Sequence, residues 1–271
     1  MKDTIKANGT KMVQMDTQRE QGNKNCIIRT EGLTRDYGNG NVLTDVDLEI
    51  SRGEFVAVMG QSGCGKSTLL YCMSGMDKPT SGRVIFAGTD MACLTDKMMQ
   101  ELRLKRMGFV FQKTGFLKNL NIMDNILYPA YQLNQRPRKE IVDEASELMA
   151  QMGIDHVADH DIRKVSGGQL QRAAICRAMI NHPDILFGDE LTGALNSSST
   201  KEVVSIIEQI NRKGTTVLLV THDANVALHA GRIIYLQDGR IMDTLVLGEY
   251  DPGDVSGRAD TMKGWLSDMK F

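Results

Sequence analysis

Residues 60–67 read Gly60-Gln61-Ser62-Gly63-Cys64-Gly65-Lys66-Ser67, a G-x-x-x-x-G-K-[ST] loop. The apolar run Phe55 to Met59 before it reads as a buried strand, and Thr68-Leu69-Leu70 after it reads as a helix start. In that context the loop is an anion site. Glycines let the backbone curl until successive N–H groups point inward, and the helix N-terminus adds partial positive charge. Lys66 then reaches β- and γ-phosphates, and the Ser67 hydroxyl is a ligand for Mg²⁺. A second feature is Ile185-Leu186-Phe187-Gly188-Asp189-Glu190, a strand ending in two acids. An Asp at a strand end holds Mg²⁺, usually through water, and the adjacent Glu190 can polarise an attacking water. A third is Ser166-Gly167-Gly168-Gln169, just before a helical stretch. Two glycines at a helix start again make an anion site. The same residues also fit a simple capping box, and both can hold at once. Two anion sites with one acidic pair are explained by a head-to-tail dimer. Each nucleotide would lie between the loop of one subunit and the Ser-Gly-Gly of the other.

The elements that must position these residues alternate along the chain. Structure is expected to begin near Cys26, with two β-rich segments around the turn-like Asp36-Tyr37-Gly38-Asn39-Gly40. Val46, Leu48 and Ile50 alternate with polar residues, as in a half-buried strand. A helix follows the phosphate loop to about Ser74, then a turn at Lys78-Pro79-Thr80-Ser81-Gly82 and a strand at Val84-Ile85-Phe86. From about residue 94 to 165 the pattern reads as helical. Strands return at Ile185-Leu186-Phe187 and from Thr216 to Val220, with a last hairpin turned by Asp238-Gly239. Residues 248–257 read as a linker, and Met262, Trp265, Leu266 and Met269 at helical spacing predict a short docking helix. Residues 1–24 are polar without apolar periodicity, which reads as a disordered extension or a misassigned start site.

Composition narrows the class. A chain of 271 residues can bury one large α/β core or two modest domains. No stretch approaches the ~18 apolar residues of a membrane span, and the N-terminus lacks the apolar core of a signal peptide. The net charge of −2 argues against nucleic acid as partner. Five cysteines without a C-x-x-C pair argue against zinc and a disulfide framework, leaving reduced thiols.

In these motifs and their order the chain resembles the nucleotide-binding subunit of an ATP-binding cassette (ABC) transporter, over about residues 26–245. Residues 75–82, 108–112 and 192–197 are similar to the branch that holds macrolide-export, lipoprotein-release, cell-division and bacitracin-resistance cassettes. The antimicrobial-peptide resistance subgroup looks nearest. The resemblance implies a P-loop α/β core with an antiparallel β-subdomain and a helical subdomain inserted at about 94–165. It implies that Tyr37 stacks on adenine and that Gly60, Gln61, Ser62, Gly63, Cys64, Gly65, Lys66, Ser67 and Thr68 bind ATP. Ser67, Gln112 and Asp189 would hold Mg²⁺, Glu190 would be the catalytic base, and His222 would contact the γ-phosphate. Gln112 would also touch the attacking water and relay the γ-phosphate state to the helical insert. Ser166, Gly167, Gly168 and Gln169 would act on the partner subunit's ATP, and Asn196 would lie in the loop crossing the dimer interface. The implied activity is ATP hydrolysis at the cytoplasmic face of the membrane by a homodimer powering a separate permease with large extracytoplasmic parts, for export of, or resistance to, antimicrobial peptides or other amphiphiles. Rival readings are a cassette ATPase acting on DNA or ribosomes and an ATP-binding regulator without turnover. The first would show fused cassettes, a long coiled-coil insertion or a basic linker, and the second would lack Glu190, His222 or Gln112.

Several residues depart from the family pattern. Leu191 stands in place of Pro and is expected to loosen the turn after Glu190. Val165 replaces Leu, and Asn196 replaces Asp, which keeps hydrogen-bonding shape but loses charge. Cys64 in the loop suggests sensitivity to thiol oxidation. Phe116, Leu117, Leu120, Ile122, Ile126, Tyr128 and Tyr131 after Gln112 either pack inside the insert or in part line a groove for a permease helix.

Overall fold

Apolar alternation sorts the strands into two sheets in the computed structural model, which describes residues 25–38 and 40–269. The expectation for residues 1–24 lies outside the described residues. The first sheet is antiparallel, in the order β2 (Asn41–Ser51), β1 (Cys26–Asp36), β4 (Ser81–Phe86), β5 (Thr89–Asp90). In β2, Leu43, Val46, Leu48 and Ile50 are buried while Asp45, Asp47 and Glu49 face solvent. The second sheet has the order β10 (Arg240–Val246), β9 (Arg232–Gln237), β3 (Phe55–Met59), β8 (Thr216–Val220), β7 (Ile185–Asp189), β6 (Met107–Phe111). All of its pairs are parallel except β9 with β10.

Parallel strands covered on both faces read as unbroken apolar runs, and β3 and β8 are buried at every residue. Their side chains feed two cores in alternation. Phe55, Ala57 and Met59 enter one core with Leu186, Val217 and Leu219. Val56 and Val58 enter the other with Phe187, Leu218 and Val220. The second core also takes Ile28, Leu33, Leu48 and Ile50, so it is shared between the two sheets.

Eight α-helices complete the described residues: α1 (Lys66–Met73), α2 (Asp96–Arg106), α3 (Ile122–Leu133), α4 (Arg138–Gln151), α5 (Gly167–Met179), α6 (Ser197–Arg212), α7 (Ala224–Ala227) and α8 (Val255–Asp268). The helical reading of 94–165 holds at Asp96–Arg106 and is corrected at the segment after it. Met107–Phe111 is β6, an edge strand of the main sheet paired with β7 from Met107↔Ile185 to Phe111↔Asp189. Five residues are too few to set a period, and the partner that decides their conformation lies far along the chain. The helices packed beside the sheet after β6 are α3 and α4, which contribute Ile126, Ala130, Ile141 and Met149 to the first core.

The C-terminal part is also more ordered than a linker reading suggests. A 3₁₀ turn covers Pro252–Asp254 and α8 starts at Val255. Met262 is buried, and Trp265, Leu266 and Met269 pack against the first core, as helical spacing predicts. Trp265 Nε1 donates to Asp243 Oδ2 at 2.7 Å. The Arg258 guanidinium, 4% exposed, donates to the carbonyls of Leu228, Ala230, Leu247, Gly248 and Glu249. Among the described residues no helix is long and apolar enough to cross a membrane.

Candidate active site

Four adjacent parallel strands, β3, β8, β7 and β6, end on the same edge of the main sheet. Ligands of open parallel sheets bind beyond that carboxyl edge. The loop 60–65 follows β3, His222 follows β8, Asp189 and Glu190 close β7, and Gln112 follows β6. Backbone bonds carry the alignment past the strand ends. Thr221 N–H donates to Val58 O (3.1 Å), Glu190 N–H to Val220 O (2.9 Å) and Gln112 N–H to Asp189 O (2.9 Å).

The phosphate loop has the backbone its glycines permit. Gly60, Gly63 and Gly65 take φ of 154°, 81° and 104°. A Cβ on Gly60 would lie 2.1 Å from Leu236 O, and one on Gly65 would lie 2.7 Å from Val42 O, so neither position has room for a side chain. Gly65 is the N-cap of α1 and no side chain caps that helix, which leaves its first-turn N–H groups for a ligand. Lys66 is 5% exposed, and its ammonium lies within the curl, donating to Gly60 O (2.9 Å) and Gln61 O (2.8 Å). Gln61, Ser62 and Gly63 are exposed at the tip, and Thr68 is half-buried. Cys64 is buried and its thiol pKa is raised, by burial above all, although the Lys66 charge pulls the other way. Burial works against thiolate chemistry at Cys64, while Lys66 Nζ stands 3.9 Å from its Sγ.

On the metal side, Ser67 Oγ donates to Asp189 Oδ1 at 2.8 Å and the Tyr71 hydroxyl donates to Asp189 Oδ2 at 2.9 Å. The Gln112 amide lies against the turn after Glu190, since a Cβ on Gly193 would be 2.8 Å from Gln112 Nε2. No group of three His, Cys, Asp or Glu side chains converges among the described residues. The donors at hand are a hydroxyl, one carboxylate and an amide oxygen. Mg²⁺ prefers such hard oxygens and takes its remaining ligands from phosphates and water, so this set fits it.

Glu190 occupies the left-handed region with φ 48°, uncommon for a residue with a side chain. Strained residues of this kind cluster at functional sites. Glu190 Oε1 lies 3.1 Å from His222 Nδ1, so the two candidate catalytic side chains meet. Leu191, which departs from the family's Pro, is packed into the turn that carries Glu190. Leu191 is 4% exposed, and its Cδ2 fills the space above Gly188, where a Cβ would stand only 2.2 Å from it. A second bond, Gly193 N–H to Glu190 O at 3.1 Å, closes the turn.

The other candidates stand apart from this cluster. Tyr37 is 53% exposed, its hydroxyl donates to Asp77, and the Arg35 guanidinium covers one ring face at 4.2 Å. Burial works to raise the Asp77 carboxyl, but hydrogen bonds from Tyr37 and Arg35 hold it below the usual carboxylate range. Ser166 caps α5 in a complete capping box: its side chain accepts from Gln169 N (3.3 Å), and Gln169 Oε1 accepts from Ser166 N (2.9 Å). Gly168 packs against the start of α6, where a Cβ would meet Ser199 Oγ at 2.8 Å, and Gly167 faces Leu195. Asn196 caps α6 by accepting from Ser199 N at 2.9 Å. Helix α5 lies beside β6, with Gln171 Nε2 donating to Phe111 O at 3.3 Å. β6 and β3 are three strand spacings apart, about 14 Å. The helix that starts at the Ser166 turn therefore packs beside the edge strand β6, three strands from the one that leads into the phosphate loop.

Tyr71, Arg35 and Asp77 were missed by motif reading. Tyr71 had a usable signal, because it is four residues after Ser67 and so on the same helix face. Arg35 and Asp77 had none, since they meet only through the β-sheet.

Residues 43–193 match the family model described as ABC transporter. The chain belongs to the ABC transporter family. It is 42% identical over 220 residues to the macrolide export ATP-binding/permease protein MacB of Sodalis glossinidius, a match covering 80% of the chain and 34% of that protein. The cassette thus spans about a third of the length of the curated relatives it matches. A bacterial ABC transporter cassette solved as a dimer superposes with a TM-score of 0.77 at 35% identity, covering 83% of this chain and all of that one. A second dimeric structure, a post-hydrolysis state bound to ADP and Pi, gives a TM-score of 0.75 at 34% identity with the same coverage. The ABC ATPase fold expected from the sequence is the fold observed, and the relatives fall on the macrolide-export branch.

Proposed function

We propose that this cassette binds ATP with Mg²⁺, hydrolyses it as a head-to-tail homodimer, and powers a separate membrane permease from the cytoplasmic face. The single observation carrying this reading is the convergence of Ser67 with Asp189 and of Glu190 with His222 at one sheet edge, beside an uncapped glycine loop. Loop N–H groups and Lys66 bind the phosphates, and Ser67, Asp189 and Gln112 hold the metal. Mg²⁺, when bound, neutralises phosphate charge. Glu190 takes the proton of the attacking water, and His222 holds the Glu190 carboxylate and faces the γ-phosphate. Tyr37 offers its uncovered ring face to adenine. The separation of the Ser166 turn from the loop supports a second copy supplying that turn to each nucleotide. Glu190→Gln is expected to keep ATP binding, slow hydrolysis at least ~10²-fold and trap an ATP-bound dimer. Near-normal turnover in that variant would sink the assignment.

The permease contact is read as a groove. Phe116, Ile122 and Ile126 are buried in the first core, whereas Leu117 (42% exposed) and Tyr128 (45%) face out. A cavity of about 330 Å³ is lined by Met76, Leu104, Phe109, Phe111 and Pro129, with Arg103 and Arg177 among its polar lining. It borders β6, the strand that leads into Gln112, so the nucleotide state can move it. A cytoplasmic permease helix would fill it. The macrolide-export relatives support export of macrolides or similar amphiphiles, and the motif resemblance supports peptide resistance as the finer reading. Leu117→Asp should leave ATP binding intact and abolish co-purification with the permease; normal assembly would move the contact elsewhere.

A further inference from the structure

We infer that Tyr71 is a positioning residue for the metal ion of this site, fixing one oxygen of the Asp189 carboxylate while Ser67 fixes the other. The inference rests on the ATPase reading above. Ser67 and Tyr71 lie four apart on α1, on one face of the helix, and both hydroxyls reach the same side chain. Ser67 Oγ takes Oδ1 at 2.8 Å and Tyr71 takes Oδ2 at 2.9 Å. A carboxylate gripped at both oxygens cannot rotate about its last bond. Each carboxylate oxygen can accept twice, so both keep an acceptor site facing the ligand. A serine hydroxyl that donates its proton still has a lone pair for a cation. Ser67 can therefore serve the metal without releasing Asp189, and Tyr71 keeps the carboxylate plane in place as it does so.

The Tyr71 ring is itself held. It is half-buried and tilted at 60° to the Phe111 ring, with centroids 6.4 Å apart. Phe111 is the register partner of Asp189 and directly precedes Gln112. The Tyr71 carbonyl accepts from Met76 N (2.9 Å) and Asp77 N (3.0 Å), and Asp77 in turn anchors Tyr37 and Arg35. The residue thus joins the metal side of the site to the adenine side.

A tyrosine that only fills space would lose nothing on becoming phenylalanine. The test is therefore Tyr71→Phe in the full chain, with Asp189→Asn as the reference for complete loss. Mn²⁺ binding to the protein–ADP complex is measured by electron paramagnetic resonance, alongside ADP affinity without metal and the Mg²⁺ dependence of ATP hydrolysis. Tyr71→Phe should keep metal-free ADP affinity and the melting midpoint, weaken Mn²⁺ about tenfold, and raise the Mg²⁺ requirement more than it lowers kcat. Wild-type Mn²⁺ affinity in Tyr71→Phe overturns the positioning role. A wild-type protein that binds ADP without any metal dependence and hydrolyses no ATP overturns the ATPase reading, and this inference with it.

Discussion

The phosphate loop and the Ser166 turn are both glycine-containing helix starts, yet they solve the same backbone problem in opposite ways. The first-turn N–H groups of any helix lack intrahelical partners. At α5 the chain supplies its own: Ser166 and Gln169 satisfy each other in a capping box, and Ser166 keeps an ordinary extended φ of −70°. At α1 nothing caps the helix, its N-cap Gly65 is left-handed at φ 104°, and the nearest cation, Lys66, is spent on the loop's own carbonyls. The first turn is complete without a ligand. The second is built for one. In the proposed head-to-tail dimer the self-capped turn is a rigid surface presented to the other subunit's nucleotide, whereas the loop holds its own.

The largest test of that division is complementation. Lys66→Ala should abolish ATP binding at its own loop, and Ser166→Arg should block the turn. Each homodimer is expected to lose at least ~10²-fold in hydrolysis. Mixing the two proteins should restore partial turnover, because one composite site is then intact. No recovery in proven mixed dimers would mean that the two helix starts do not share a nucleotide. A smaller contrast concerns the folded chain alone. Gly65→Ala forces a Cβ against Val42 O and Leu43 Cδ2, at 2.7 and 3.0 Å, from a left-handed backbone. It should cost roughly 1–3 kcal/mol and weaken ATP binding as well. Ser166→Ala removes a cap worth about 1 kcal/mol and should lower the melting midpoint by about 2–4 °C while leaving ATP affinity of the monomer unchanged. Equal effects of the two substitutions on nucleotide affinity would erase the distinction.

Much of this site could be read before any fold was known, and the reason is locality. The phosphate loop is set by glycines within eight residues and by the apolar runs on either side, so the sequence by itself determined its position, its backbone and its helix. The capping box of Ser166 and Gln169 is equally local, as are the acids at the end of Ile185–Asp189 and the Asp238-Gly239 hairpin turn. What only the tertiary structure decided depends on partners distant in the chain. Met107–Phe111 becomes a strand because β7 pairs with it, and that pairing sets Gln112 beside Asp189. Glu190 meets His222 because β7 and β8 are neighbours. Leu191 fits because Gly188, which has no side chain, leaves it room beside Leu219, and Phe116 is buried while Leu117 is not. Tyr71 gains its role from a carboxylate more than a hundred positions away. Propensity and turn chemistry act over a few residues, whereas sheet order and side-chain contacts are settled by packing across the whole chain.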